Sequence, residues 1–209
     1  MPITITKIEN QKKNKKRYSL FSGDTFIIGV SEETLLEFNI FSGQSLSEEA
    51  IEQIKQKENY VALRDQAWRF LARRMHSENE LEIKLIRKGY EKNDIKKIIH
   101  ELRDKKYLND EIFARQLISD EIDLKRNGPL LIKNKLLKKG IQMSLLTSLL
   151  DESYPEELQY GNCVYQAKKK LKILKNKDET SIKNRLGTFL TQKGFNWDII
   201  NRVISEMEL

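Results

Sequence analysis

Three times the chain reads Lys-Gly followed by a bulky apolar residue: Lys88-Gly89-Tyr90, Lys139-Gly140-Ile141 and Lys193-Gly194-Phe195. Eight and four residues before each glycine stand Leu81 and Leu85, Ile132 and Leu136, and Leu186 and Leu190, the spacing of one buried helix face. A helix that stops on a left-handed residue needs glycine there, and the next apolar residue folds back onto the last turn. Each copy therefore predicts a helix stop, with Tyr90 on Leu85, Ile141 on Leu136 and Phe195 on Leu190. The residue after each glycine is also five before another apolar residue (Ile95, Leu146, Ile200), the spacing of a hydrophobic staple that opens the next helix. Asn196 is a good cap in between, whereas Glu91 and Gln142 are poor and move the expected starts to Asn93 and Ser144. The helices that follow share a stripe: Ile95, Ile98, Ile99, Leu102; Leu146, Leu149, Leu150, Ser153; Ile200, Val203, Ile204, Met207. With glycines 51 and 54 residues apart, the chain reads as one three-helix unit used three times, each burying what it cannot bury alone against its neighbour.

The expected fold is mainly α, tandem three-helix repeats in an elongated array behind a small N-terminal β-hairpin or β-sheet module. The expected divisions are 1–58, 59–108, 109–156 and 157–209. In the first of these, Ile3 to Ile8 alternates with period two, Tyr18–Phe21 and Thr25–Val30 are rich in aromatic and β-branched residues, and Ser22-Gly23-Asp24 is turn chemistry. Between the first strands, Asn10 to Arg17 reads as a basic turn, and the polar run Glu52–Asn59 as the boundary with the repeats. Ser31 and Ser47 are expected caps, and Ser77 with Glu80 a capping box. The second repeat opens at Asn109 and runs through Phe113, Ala114, Leu117, Ile118 and Ile122. It breaks at Asn127-Gly128, and Pro129 takes a first helical position.

Catalytic chemistry finds no purchase. The two histidines, His76 and His100, have no carboxylate or cysteine at metal-ligand spacing, so no metal and no cofactor are expected. Cys163 reads as a small core hydrophobe, and a single cysteine suits a reducing cytosol. There is no glycine-rich phosphate loop and no stretch apolar enough to span a membrane, which gives the expectation of a cytoplasmic protein and no enzyme.

Charge is the remaining signal. The net charge is +7, which leaves an acidic partner and a Lys-rich proteome equally open. Its placement is uneven: between Tyr160 and Gly194 there are nine Lys or Arg against Asp178 and Glu179. Lysine at a helix C-terminus is favourable on dipole grounds alone, but this cluster exceeds that and points to an anion. Chosen on charge, the candidate binding residues are Arg73, Arg74, Lys84, Arg87, Lys88, Lys133, Lys135, Lys138, Lys139, Lys168, Lys169, Lys170 and Lys172.

One set of residues resembles a known family. Ala67-x-x-Phe70-Leu71-Ala72-Arg73-Arg74-x-His76-Ser77-x-x-Glu80-Leu81 leads to Lys88-Gly89-Tyr90, then come Tyr107-Leu108-Asn109-Asp110-Glu111-x-Phe113-Ala114-Arg115 and Gly128-Pro129-x-x-Ile132-x-x-x-Leu136-x-x-Lys139-Gly140-Ile141. Over roughly residues 60–145 this is similar to the RecX family of RecA regulators. The third repeat matches in outline, and the first 58 residues resemble the hairpin-bearing extension of some Gram-positive members. The resemblance implies a curved array lying in the groove of the RecA filament on DNA and modulating filament growth, ATPase, recombination and co-protease activity, with inhibition the expected direction; a monomer is expected. It implies weak electrostatic contact with single- or double-stranded DNA, no membrane partner and no catalytic motif. The alternative is a basic helical DNA-binding protein acting independently of RecA, although a helix-turn-helix reader would show one recognition helix rather than three equivalent units.

Overall fold

A computed structural model describes residues 2–12, 14–174 and 178–207; Lys13, Lys175, Asn176 and Lys177, which belong to stretches read above, lie outside the described residues. The chain groups into two compact units, Met1–Arg74 with Glu82–Glu101, and Met75–Leu81 with Leu102–Leu209. The protein is mainly α-helical, with ten α-helices among the described residues and a small antiparallel sheet module at the N-terminus.

In the first unit, β1 (Ile3–Thr4) pairs with β5 (Ser45–Leu46), while β2 (Lys7–Gln11), β3 (Asn14–Ser22) and β4 (Thr25–Ser31) form an antiparallel meander. Its register sets Tyr18 opposite Val30 and Leu20 opposite Ile28, and Gly23 turns the chain at φ 58°. The expected basic turn is mostly strand: Asn10 and Gln11 end β2, and Asn14–Arg17 begin β3. Cross-strand hydrogen bonding extends the hairpin through residues whose exposed lysines carry no apolar alternation to announce it. Helix α1 (Glu32–Glu37) follows, capped by Ser31. Helix α2 runs unbroken from Glu48 to Leu71, so the polar run Glu52–Asn59 lies inside a helix instead of interrupting one. Ile5, Leu20, Val30, Ile40, Leu46, Ile51 and Ile54 form one core that seats α2 on the sheet module.

A buried carboxylate ties that junction. Glu58 accepts the Ser31 backbone N–H at 2.7 Å, the Ser31 hydroxyl at 2.8 Å and the Arg17 guanidinium at 2.7 Å. Burial opposes its ionisation, but these donors outweigh it and hold the carboxyl below its usual range.

Helices α3 (Glu78–Ile86) and α4 (Lys92–Asp104) cross the division between the units. In the second unit, α5 (Asp110–Ser119) passes into a π-helical turn over Asp120–Leu124, then α6 (Pro129–Lys138) and α7 (Met143–Ser153) close a core of Phe113, Ala114, Ile118, Ile132, Leu136, Leu146, Leu149 and Tyr154. Helices α8 (Glu156–Leu174), α9 (Glu179–Gln192) and α10 (Trp197–Glu206) close another around Cys163, Ala167, Leu186, Leu190, Phe195, Ile200 and Val203.

All three lysine-glycine turns are built as expected. Gly89, Gly140 and Gly194 have φ 86°, 82° and 86°. Tyr90, Ile141 and Phe195 donate backbone N–H to Leu85, Leu136 and Leu190 at 3.4, 3.1 and 3.2 Å, while each glycine N–H reaches the carbonyl three residues back at 2.9 Å. This is the doubly bonded C-terminal cap that requires a left-handed residue.

Candidate nucleoprotein-binding surface

The thirteen basic candidates do not form one patch, and helix geometry separates those whose charge is spent inside the fold from those that face solvent. In the first unit, Arg73 and Arg74 are exposed just past α2, and Arg87 and Lys88 are exposed at the end of α3. Lys84 is half-buried, with Nζ 5.2 Å from the centre of the Phe70 ring.

On α6, Lys133 is half-buried and Lys138 exposed. Lys135 places Nζ 2.5 Å from Glu121, and Lys139 sits 2.9 Å from Glu80. Glu121 is only 2% exposed and also takes Lys125 at 2.5 Å and the Asn127 side-chain amide at 2.6 Å. Burial raises its cost of ionisation, yet the two ammonium groups and the amide prevail and keep its pKa below the ordinary value. The carbonyls freed where α5 loosens into the π-helical turn are recovered by α8: Asn162 donates to Ile122 at 3.1 Å, and Gln166 to Lys125 and Arg126 at 2.8 and 3.1 Å. Tyr154 completes the network through its hydroxyl, which donates to the Asn127 carbonyl at 2.9 Å.

Helix α8 carries the free charge. Lys168, Lys169 and Lys172 are exposed, and the i, i+3 and i, i+4 spacings place them on one face with exposed Tyr165. The Arg126 guanidinium lies 4.1 Å from the Tyr165 ring centre, adding a fourth cation beside them. Lys170 points the other way, with Nζ 5.1 Å from the Phe189 ring centre, beside a cleft of about 330 Å³ that Arg185 also lines. Among the described residues none of the four α8 lysines meets a carboxylate. A stripe of unpaired lysines beside an exposed aromatic ring can hold a phosphate backbone and offer a ring face next to it.

Sequence reasoning missed Arg126, Tyr165 and Phe189, because their pairing with α8 and α9 spans helices and leaves no periodic trace. Charge-neutralising arrangements were equally invisible: nothing in the pattern marks Lys135 as the partner of Glu121. Cys163 is fully buried and its thiol is pushed up to about 12 by that burial, and no group of three or more metal-ligating side chains occurs among the described residues. No helix among them is long and apolar enough to cross a membrane.

Comparison with known proteins decides the family. Residues 64–102 match the family model "RecX, first three-helix domain", residues 3–47 "Regulatory protein RecX N-terminal domain" and residues 156–204 "RecX, third three-helix domain". The Regulatory protein RecX of Clostridium tetani (strain Massachusetts / E88) is 33% identical over 97% of this chain and 94% of its own length. That of Clostridioides difficile (strain 630) is 30% identical over 97% and 95%. The chain belongs to the RecX family. Among solved structures, "Crystal structure of regulatory protein RecX" superposes with TM-score 0.74 at 24% identity, covering 97% of this chain and 98% of that one. RecX from Lactobacillus salivarius gives 0.64 at 26% identity over 73% of this chain and 98% of its own. Both relatives are named as regulatory proteins rather than for a reaction.

Proposed function

We propose that this chain binds the RecA filament on DNA and slows its growth, ATP hydrolysis and strand exchange, without turning over a substrate of its own. The observation that carries the reading is the α8 face, where Lys168, Lys169 and Lys172 stand unpaired beside Tyr165 while Lys125, Lys135 and Lys139 are neutralised within the fold. Lysines left without carboxylates in a chain this rich in them are suited to an anionic polymer. Membership of the RecX family supplies the partner, since its members are named as regulatory proteins and the motifs from Ala67 to Ile141 are those that resemble RecA regulators. Repeated three-helix units suit a polymer with a recurring groove because each unit adds a modest contact. The expected working form is a monomer in the cytoplasm, contacting recombinase and, weakly, the strand beneath it.

The α8 face would serve equally a DNA-binding protein that ignores RecA, and one experiment separates the two. Purified protein is incubated with RecA filaments on immobilised single-stranded DNA and with the same strand naked. Retention on filaments well above the naked strand supports the RecA reading; equal retention on both transfers the function to DNA alone.

A further inference from the structure

The lysine-glycine turn occurs three times, and at two of them the start of another helix is seated on it. At Lys139-Gly140, the Ser77 hydroxyl that caps α3 accepts the Glu80 N–H at 3.1 Å and donates to the Lys139 carbonyl at 2.7 Å. Lys139 then reaches the Glu80 carboxylate at 2.9 Å, and a Cβ on Gly140 would lie 2.4 Å from that of Asn79. At Lys193-Gly194, the start of α6 takes the same seat with backbone donors: Gly128 N–H to the Lys193 carbonyl at 2.7 Å, Leu130 N–H to the Gly194 carbonyl at 3.0 Å. A Cβ on Gly194 would meet Leu131 N at 2.3 Å. The turn is thus an acceptor for the orphan donors of a helix N-terminus, and at Lys139 the preceding lysine also meets an acidic residue in that helix's first turn, whereas α6 brings none to Lys193.

The first turn is empty. Gly89 has the same φ and the same cap bonds, but a Cβ built there meets nothing within 4 Å, and Lys88 is exposed. Among the described residues no donor from outside the turn reaches the Lys88 or Gly89 carbonyl. Beside it, between α2 and α4, opens a cleft of about 710 Å³ lined by Asn59, Tyr60, Leu63, Tyr90, Asp94 and Glu101. Its floor is fixed, since Tyr60 donates to Glu101 at 2.5 Å and the Tyr90 hydroxyl to the Ala62 carbonyl at 3.2 Å.

We propose that the Lys88-Gly89 turn and this cleft are a socket for the N-terminus of a helix on the recombinase, one capped by Ser, Thr or Gly and carrying an acidic residue in its first turn. The identity of the partner rests on the function proposed above; the donors of the plug rest on the two seats filled within the chain, and its acidic residue on the Lys139–Glu80 pair. A second copy of this chain fits poorly. The helix that continues the series, α9, is capped by Asp178, whose carboxylate accepts the Ser181 N–H and has no proton to give a carbonyl. Ser77 donates a hydroxyl proton at its seat and Gly128 a backbone N–H with no side chain beside it, whereas Asp178 would bring a carboxylate against the turn's carbonyl oxygens. Unlike Lys139, whose charge is met by Glu80, Lys88 awaits its carboxylate.

Two variants probe the socket without straining the turn: Lys88→Glu, at an exposed position, reverses the charge, and Asn59→Trp, from the exposed wall of α2, fills the space. Affinity for RecA filaments on single-stranded DNA, affinity for the naked strand, thermal midpoint and sedimentation at rising concentration are measured for each beside the unaltered chain. Both variants are expected to melt like the parent and to bind filaments about tenfold or more weakly, the scale of one charge-assisted pair together with the packing around it, while Asn59→Trp leaves naked-strand affinity unchanged. Parental filament affinity in both folded variants overturns the socket. Self-association of the parent that both variants abolish would instead assign the seat to a second copy and overturn the recombinase assignment. If the unaltered chain shows no preference for filaments over the naked strand, the functional reading fails and takes this partner with it.

Discussion

Alanine at Gly89, Gly140 and Gly194 makes the same change at nearly the same backbone angle in three different surroundings. The φ values of 86°, 82° and 86° set a common strain, of about 1–2 kcal/mol for a Cβ in the left-handed region. At Gly89 that is the whole cost, because the added carbon meets open space. At Gly140 it would lie 2.4 Å from Asn79 Cβ and 2.8 Å from its Cγ, so the first turn of α3 must give way. At Gly194 it would lie 2.3 Å from Leu131 N and 2.5 Å from Leu131 Cβ, where the backbone at the start of α6 must move and the Gly128 and Leu130 hydrogen bonds stretch with it. Forcing extra volume into packed structure costs about 1–3 kcal/mol beyond the strain, which brings Gly194→Ala to about 2–5 kcal/mol in all. For a chain of this size each kcal/mol moves the midpoint by about 2–4 °C. Thermal melts followed by circular dichroism should therefore rank the variants Gly89→Ala, then Gly140→Ala, then Gly194→Ala in increasing loss. Equal losses at all three would refute the seating of helix starts on these turns.

Replacing Lys168, Lys169, Lys170 and Lys172 together by glutamine should flatten the salt dependence of binding to single-stranded nucleoprotein by up to about 0.7 for each phosphate that is no longer neutralised, measured by fluorescence anisotropy across a salt series. An unaltered slope would make the cluster a solvated face. Glu121, whose folded pKa lies below the usual 4.5, contributes stability that is present above that value and disappears as pH falls through the folded one. Urea midpoints should drop on acidification below about pH 4.5. Glu121→Gln should cost about 1–3 kcal/mol at neutral pH and shrink that acid-dependent drop. Native protein at pH 8 should leave Cys163 unalkylated until urea unfolds it, because the thiol is buried and its pKa is pushed up to about 12.

The parts of this molecule that are legible in its sequence are those written in short-range spacing. A left-handed cap, its folded-back apolar residue and the following stripe lie close together in the chain, so Ile95, Ile98, Ile99 and Leu102 announced their burial and are all buried. Ser77 was legible as a cap from Glu80 three residues on, but its second bond, to the Lys139 carbonyl, spans 62 residues and left no signal. The polar run Glu52–Asn59 reads as a break because only Ile51 and Ile54 anchor that part of α2, while Glu58 is buried for its hydrogen bonds to Ser31 and Arg17, not for apolarity. The stripe through Phe113, Ala114, Leu117 and Ile118 extends correctly to buried Ile122, yet the π-helical turn there follows from Glu121 being drawn inward to Lys125, Lys135 and Asn127. Within the candidate surface, lysines were countable but their partners were not: the same residue type is neutralised at Lys135 and exposed at Lys168.

In the proposed function this chain restrains the recombinase filament rather than acting on DNA alone. The decisive measurement is RecA ATP hydrolysis on single-stranded DNA, titrated with the full chain and with the four-lysine glutamine variant while filament length is followed by electron microscopy. The full chain is expected to lower the rate and shorten filaments at amounts well below one per RecA protomer, and the variant to need markedly more to do so. An unchanged rate and unchanged filament length at stoichiometric amounts of the full chain would contradict it.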